Sequence, residues 1–408
     1  MYSDIIYPYP PLLTFILATL YKIFGYQLMI AKLFVIILLL INDGFIYLIL
    51  RRFVKSETVF LLGVLFYVII QSVLEGNMLW FDVVMVTPVL VSTYFLLKKN
   101  YFWAGLFMGV AALTKQTAGI LAIIGIYYAI REGGIGSLKK YLACPIGLGI
   151  ILFGWLLTTN QFIDFWNWVL WYPLSYWSSF PGYVQMSVLG KERIMFLSLI
   201  ISLGLLLIKV KKVFLVKSEN LVLLGSTLLS LVVVYPRFSF FHLQLFIAFW
   251  CILFTYLVSF INLRKLYLFT ILLMGFLLIG QVKVGWQKEA RFWGRDDFYK
   301  VENLKKIIGD EKEVYLLGLP SQYYVIGNFL PPKPWFDNFG WYLEILGEQE
   351  KILKSWEDNP PGYIIRQIPK SGNWYDLGVY EPEKIVGYIK ENYVVKDKLG
   401  NVEIWQKD

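Results

Sequence analysis

Six side chains in this 408-residue sequence have the charge and proton affinity that group transfer at a membrane surface would need. Three are acids, Asp4, Glu75 and Asp82, and three are cationic or can become so, Lys115, Arg237 and His242. Each falls in a short polar stretch at the rim of an apolar run: SDIIYPYPP around Asp4, EGNMLWFD around Glu75 and Asp82, LTKQ around Lys115, and YPRFSFFHLQ around Arg237 and His242. A carboxylate at such a rim can take a proton from an acceptor hydroxyl as general base. A cation there can hold a phosphate and offset the charge that develops on it as it departs. It can equally snorkel to lipid headgroups, and the lone histidine can equally be an ordinary interfacial residue. Tyr7, Tyr9, Trp80 and Gln116 lie beside these groups in sequence and are expected to line the same pocket.

The elements that must position these residues are apolar helices. The chain is 58% apolar, 18% aromatic and only 16% charged, with a mean hydropathy of +0.59. That excludes an ordinary soluble globule and points to a polytopic membrane protein. Apolar runs at 27–50, 57–74, 80–97, 101–114, 118–130, 141–158, 195–210, 220–234, 240–261 and 266–282 give about ten spans. Lys115 between two short runs predicts a turn rather than one long helix. Asp43, inside the first run, is expected to pair with Lys32 or to cap a local break. Cys144 and Cys251 sit in apolar runs and read as small core residues, with no disulfide or metal framework.

Charge assigns the sides. Up to residue 282 the chain has 20 Lys and Arg against 9 Asp and Glu, whereas from 283 onward it has 18 against 20. Fourteen of the 20 basic residues cluster in alternate loops, at 51–55, 98–99, 131–140, 209–217 and 264–265. The positive-inside rule puts those loops in the cytoplasm. The six candidate residues, the start of the chain and everything after 282 are then expected outside. The basic excess is a topology signal, so no nucleic-acid partner is implied.

The opening stretch is unusual. Pro8, Pro10 and Pro11 fix an extended entry, and Pro11 can start a helix. Leu12–Phe24 is apolar but too short to span, so it reads as an interface helix. A loop of this kind normally hangs between two spans, and one span is expected upstream of Met1. Asn160 to Met186, with four tryptophans, reads as an aromatic belt in the membrane interface or as the lining of a sugar or lipid site. Beyond 283 the sequence predicts strands at 314–319, 363–368 and 402–407 and helices at 298–308 and 381–393, a small α/β domain of about 125 residues. Its aromatic loops, PPKPWFDNFGWY and SGNWYDLG, could stack on sugar rings or simply pack.

Three of these stretches together resemble the GT-C membrane glycosyltransferases, namely the protein O-mannosyltransferase and aminoarabinose transferase group (glycosyltransferase family 39 and relatives). YSDIIYPYPPLL…YKIFG is similar to the end of that family's first external loop and its interface helix. GLFMGVAALTKQ (105–116) is similar to its Gly-rich helix ending in Leu-Thr-Lys. YPRFSFFHLQ (235–244) is similar to its late external turn, whose Arg is expected near the donor phosphate. The resemblance implies a GT-C fold in three parts: a loop and interface helix over 1–26, a multi-span transferase domain over 27–282, and an extracytoplasmic α/β domain over 283–408.

It implies a glycosyltransferase, inverting at the sugar carbon, in the plasma membrane. The donor would be a polyprenyl-phosphate-linked sugar, and the acceptor a lipid, glycan or protein. Lys115, Arg237 and His242 would bind the donor phosphate, with Tyr7, Tyr9, Glu75, Trp80, Asp82 and Gln116 around the substrate. The family's main base would lie upstream of Met1, leaving Asp4 as a second acid. Many relatives carry Lys or His before the Pro-Pro pair, where this chain has Tyr9. No cofactor is implied; a divalent metal stays open but is not indicated. The alternative is a lipid-linked oligosaccharide transporter or a non-catalytic membrane subunit. No internal repeat of the transporter kind is present in the sequence.

Overall fold

The fold was described from a computed structural model, which covers residues 1–74, 76–180, 197–205, 207–208, 217–234, 241–260, 272, 275–276, 279, 295–334, 340–368 and 381–408. After a turn over residues 2–4, α1 (Leu12–Phe24) begins at Pro11, whose φ of −81° already suits a helix, and ends at Gly25 with φ +90°. Only Leu13 is buried in it, so it lies on the bundle as a surface helix rather than through it. Next come α2 (Leu28–Phe53), α3 (Glu57–Val73), the short α4 (Phe81–Val84), α5 (Val86–Leu97) and α6 (Tyr101–Thr114). Lys115 is extended, at φ −146° and ψ 122°, and a 3-10 turn over Gln116–Leu121 leads into α7 (Ala122–Thr158). The predicted turn at Lys115 is therefore present.

α7 is two spans, not one. Gly134 has φ +67° inside it, and a Cβ on Gly125 would lie 2.2 Å from the hydroxyl of Tyr141. Sixteen residues of straight helix would hold these about 24 Å apart, so the chain doubles back near Gly134. The returning half packs against α6 so closely that a Cβ on Gly105 would lie 1.8 Å from the carbonyl oxygen of Tyr141. That close approach is the physical reason for the glycine-rich helix leading to Lys115.

Two further helices, α10 (Ser218–Val232) and α11 (Gln244–Val258), belong to the bundle, as do the helical residues 197–205, whose Leu199 and Leu203 are buried in its core. Between them and α7 lie α8 (Phe162–Trp166) and α9 (Tyr172–Ser175). Every residue of α11 except Phe254 is buried, which makes it the central helix. α2 instead buries Ala31, Val35, Ile46, Ile49 and Leu50 and leaves Ile36, Ile37 and Leu40 exposed, as a lipid-facing helix does. Asp43 and Lys32 lie on this same helix, 11 residues and about 16 Å apart along its axis, so the expected pairing is out of reach. Of the two cysteines, Cys251 is buried in the core and Cys144 only half-buried.

The bundle has two distinct ends. At one, basic residues meet acids: Arg52 Nη2 lies 2.5 Å from Glu219, and Lys99 Nζ lies 2.8 Å from Glu132, which also accepts from Ser218. At the other end sit the opening stretch, Asp82, Lys115, the 160–180 segment, His242 and the C-terminal domain.

In that domain, α12 (Arg295–Ile308), α13 (Gln322–Gly327), α14 (Glu348–Asp358) and α15 (Glu383–Asn392) pack on a four-stranded sheet. The strands are β1 (Val314–Leu317), β2 (Tyr363–Gln367), β3 (Tyr393–Leu399) and β4 (Val402–Lys407), in the order β1-β2-β4-β3. β1 and β2 are parallel and the other pairs antiparallel. Sequence reading places β1, β2, β4, α12 and α15 to within three residues but misses β3, α13 and α14. β3 is an edge strand whose middle five residues are exposed, so VVKDKL carries no core-facing alternation.

An apolar cluster seats the domain on the membrane part. Ile6, Trp168 and Trp177 from the bundle end join Tyr342, Leu343, Ile352 and Trp356 of the domain. Trp168 is 2% exposed and meets the Tyr342 ring edge-on at 6.1 Å between centroids; Trp177 lies 5.6 Å from the same ring. Trp166 and Trp171 remain exposed. The aromatic segment is therefore divided, with two tryptophans docking the domain and two facing outward. The first aromatic loop lies in part, and the second wholly, outside the described residues.

Candidate functional site

Asp82 is the hub. It lies in the first turn of α4, where an acid is favoured by the helix dipole, and it is 0% exposed. A buried carboxylate is tolerable only with partners, and it has two. Lys115 Nζ is 2.6 Å from Oδ1, and His242 Nδ1 is 2.9 Å from Oδ2. An ionised carboxylate can only accept, so Nδ1 is the protonated nitrogen of that ring. Lys115 is itself 7% exposed. The sequence reading places Lys115 as a cation in a turn; in the fold one of its three N–H groups is committed to Asp82.

Each partner arrives by a different route. α6, seated tightly by Gly105, ends so that Lys115 points back to the hub. The backbone just before α11 brings His242, whose ring lies 4.2 Å from that of Phe241. Trp80, the residue before α4, meets Phe241 edge-on at 5.2 Å and His242 at 6.2 Å.

Two glutamines missed by sequence reading fix the loop before Asp82. Gln71 donates to the carbonyl of Gly76, and Gln244 donates to the carbonyl of Leu74. Gln71 is 4% and Gln244 1% exposed. Their signal in the sequence is an amide inside each apolar run, which is costly unless it is bonded.

The opening stretch closes over this cluster. Tyr9 stacks on Phe81, next to Asp82, with ring centroids 3.8 Å apart and planes at 15°. Tyr7 approaches the same ring at 5.8 Å. Gln116 donates to the carbonyls of Pro8 and Val169, each at 3.1 Å. Tyr2, fully buried, donates its hydroxyl to the carbonyl of Tyr9 at 2.7 Å and its backbone N–H to Gln161.

Asp4 lies apart from the hub. It is half-exposed and pairs at 3.8 Å with Lys333 of the C-terminal domain. Glu75 and Arg237 lie outside the described residues. The fold thus brings together Tyr7, Tyr9, Trp80, Asp82, Lys115, Gln116 and His242, from four separate stretches of chain, and leaves Asp4 at the edge.

Asp82 and His242 are both metal-ligand types and are in contact, but the Lys115 ammonium occupies the same carboxylate. Among the described residues no group of three or more His, Cys, Asp or Glu converges. What the arrangement offers is two fixed nitrogen groups held by one buried acid, under an aromatic wall.

Residues 9–157 match a family model described as dolichyl-phosphate-mannose-protein mannosyltransferase. That range holds the Leu-Thr-Lys helix motif whole and the opening motif from Tyr9 onward, and it ends before YPRFSFFHLQ. No curated protein matches the sequence. Among solved structures, the chain is similar to ArnT from Cupriavidus metallidurans bound to undecaprenyl phosphate, with TM-score 0.55 and 12% identity, covering 99% of this chain and 88% of that one. It is similar also to the apo state of that protein, with TM-score 0.55 and 11% identity, covering 99% and 87%. At such identities the likeness establishes the fold alone, which is the GT-C fold of ArnT. The resemblance read from the motifs is borne out by both the family model and the fold.

Proposed function

We propose that this protein is a glycosyltransferase of the plasma membrane that moves a sugar from a polyprenyl-phosphate-linked donor to an acceptor at the outer membrane face. The observation that carries this reading is the buried Asp82 holding Lys115 and His242 beneath an aromatic wall, in a GT-C fold. Asp82 fixes both side chains in advance, so the Lys115 ammonium, and His242 through Nε2–H in its imidazolium form, meet the departing phosphate without reorganising. Lys115 keeps two N–H groups for that oxyanion. Arg237 is assigned the same role on sequence alone. The acceptor hydroxyl attacks the sugar carbon on the face opposite the phosphate, with inversion; the bond from that carbon to the phosphate oxygen breaks, and the hydroxyl proton passes to a carboxylate base, for which Asp4 is the candidate in this chain. Tyr7, Tyr9 and Phe81 offer flat rings to the sugar, and Asp4 helps to orient the acceptor.

The reading also places this end of the bundle, with the C-terminal domain, outside the cell, because Arg52 and Lys99 mark the opposite end as cytoplasmic. A cysteine at Lys333 should react with an impermeant thiol reagent in intact cells, and one at Lys99 should not. The reverse pattern would overturn the orientation. The function itself is tested by sugar transfer from a polyprenyl-phosphate donor in proteoliposomes. Lys115→Ala should lower turnover about 10- to 150-fold, the worth of one charge-assisted hydrogen bond of about 1.5–3 kcal/mol. Undiminished transfer by Lys115→Ala would rule out the role of the cluster.

A further inference from the structure

We propose that Asp164 of the membrane part and Glu348 of the C-terminal domain together hold a hard divalent cation, of the calcium or magnesium type, that pins the domain to the bundle. The inference goes beyond the transfer reaction and does not rest on it. Neither acid belongs to the cluster around Asp82. Glu348 lies in the first turn of α14 and is 8% exposed, and its Oε2 is buried without a hydrogen-bond partner. An ionised carboxylate so placed needs a counter-charge. Lys351, three residues along the helix, is exposed and forms no ion pair with it. What faces Glu348 across the junction is a second acid. Asp164, in α8, is half-buried and has no hydrogen bond or ion pair to another described residue.

The helices turn both acids toward one seam. Asp164 stands one turn before Trp168, and Glu348 one turn before Ile352, and those two residues lie in the apolar cluster that joins the halves. The fields of the acids overlap there. Burial raises the pKa of Tyr172, and Glu348, Tyr176 and Asp164 all add to the rise. Asp164 likewise adds to the effect of burial on Glu348. Docking therefore brings two like charges together in a seam otherwise made of Trp, Tyr, Leu and Ile. Alone they repel and oppose the contact between Trp168 and Tyr342. A cation between them is drawn to both and gives the buried oxygen a partner. Oxygen ligands alone select a hard ion over zinc or copper. Two carboxylates are fewer than a tight site has, so water completes the shell. The affinity expected is about millimolar, that of extracellular calcium modules. It suits the outer face, where the proposed orientation puts this junction.

The test uses the full-length protein in detergent and needs no sugar transfer. Limited proteolysis scores release of the C-terminal domain. In about 10 mM calcium chloride, release should slow about tenfold relative to chelator plus choline chloride at the same ionic strength, as a Kd of about 1 mM predicts. Magnesium chloride should act in the same direction. Glu348→Gln and Asp164→Asn keep the size of each side chain. Each should abolish the calcium effect, and in chelator each should release the domain no faster than the parent, because a repelling charge is gone. Terbium, a luminescent stand-in for calcium, should show emission sensitised by Trp168 and Tyr172. That emission should be displaced by calcium and lost in both variants. Equal release in calcium and choline chloride overturns the site. So does a calcium effect that survives in both variants, which would put the cation elsewhere. So does terbium emission that is the same in parent and variants. Faster release of both variants in chelator would show that the acids hold the junction without a cation, and overturns it too.

Discussion

At the scale of single residues, the energetics centre on the charge of Asp82. A carboxylate with no exposure can stay ionised only because Lys115 and His242 share it. Removing one partner strands a buried charge, whereas removing the acid as well relieves the problem. Lys115→Ala should therefore destabilise the detergent-solubilised protein by about 3 kcal/mol or more. Adding Asp82→Ala should recover part of that loss, with a coupling of roughly 1–3 kcal/mol. Thermal unfolding of the four-member cycle measures this, and strictly additive effects would mean the pair is not coupled. Lys115 and His242 were visible in the sequence as cations at rims. Their shared acid was visible too, but as a separate rim residue, because 33 and 160 positions part them from it.

At the scale of elements, the segment from Asn160 onward decides how the two halves of the molecule meet. Period and composition alone make it an amphipathic aromatic strip. The fold splits it at the π-turn, burying Trp168 and Trp177 against Tyr342 and leaving Trp166 and Trp171 outside. Trp168→Ala should loosen docking of the C-terminal domain, by about 3–5 kcal/mol for a buried tryptophan. Trp166→Ala should leave docking unchanged, since its ring is 47% exposed. Limited proteolysis of the intact protein, scored by release of the C-terminal domain, separates them. Equal release from both variants would show that the strip acts only as a membrane anchor.

At the scale of the whole molecule, the domain junction carries an acid that should make docking depend on pH. Glu348, at the start of α14, is 8% exposed, and one of its carboxylate oxygens is buried without a partner. Burial raises its pKa; Lys351 partly offsets this, and Asp164 of the membrane part raises it again. Folding and docking thus favour the protonated form. The stabilisation is complete below the unfolded pKa of about 4.5 and is lost as pH rises through the higher folded value. At neutral pH the ionised group opposes docking. Glu348→Gln should raise the thermal stability of the junction at pH 7 and flatten its dependence on pH above about 4.5. An unaltered pH profile would show that the carboxylate finds its hydration in the folded protein.

The sequence by itself determined the properties that composition and short-range pattern encode. Apolar runs of spanning length set the helices, and basic residues at alternate rims set the two ends. Prolines and a short apolar run set α1, and the Leu-Thr-Lys helix and opening stretch set the family resemblance. These are local because hydrophobic burial and backbone geometry act within one or two turns. Only the tertiary structure decided which rim residues meet. Asp82, Lys115 and His242 come together because α4, α6 and α11 converge at one end of the bundle, and nothing in spacing announces that. The same holds for Gln116, whose two acceptors lie 108 and 53 residues away. It holds again for Gln71 and Gln244, which read as misplaced amides until the loop they fasten is in view, and for β3, whose edge position leaves its side chains in solvent and its pattern blank.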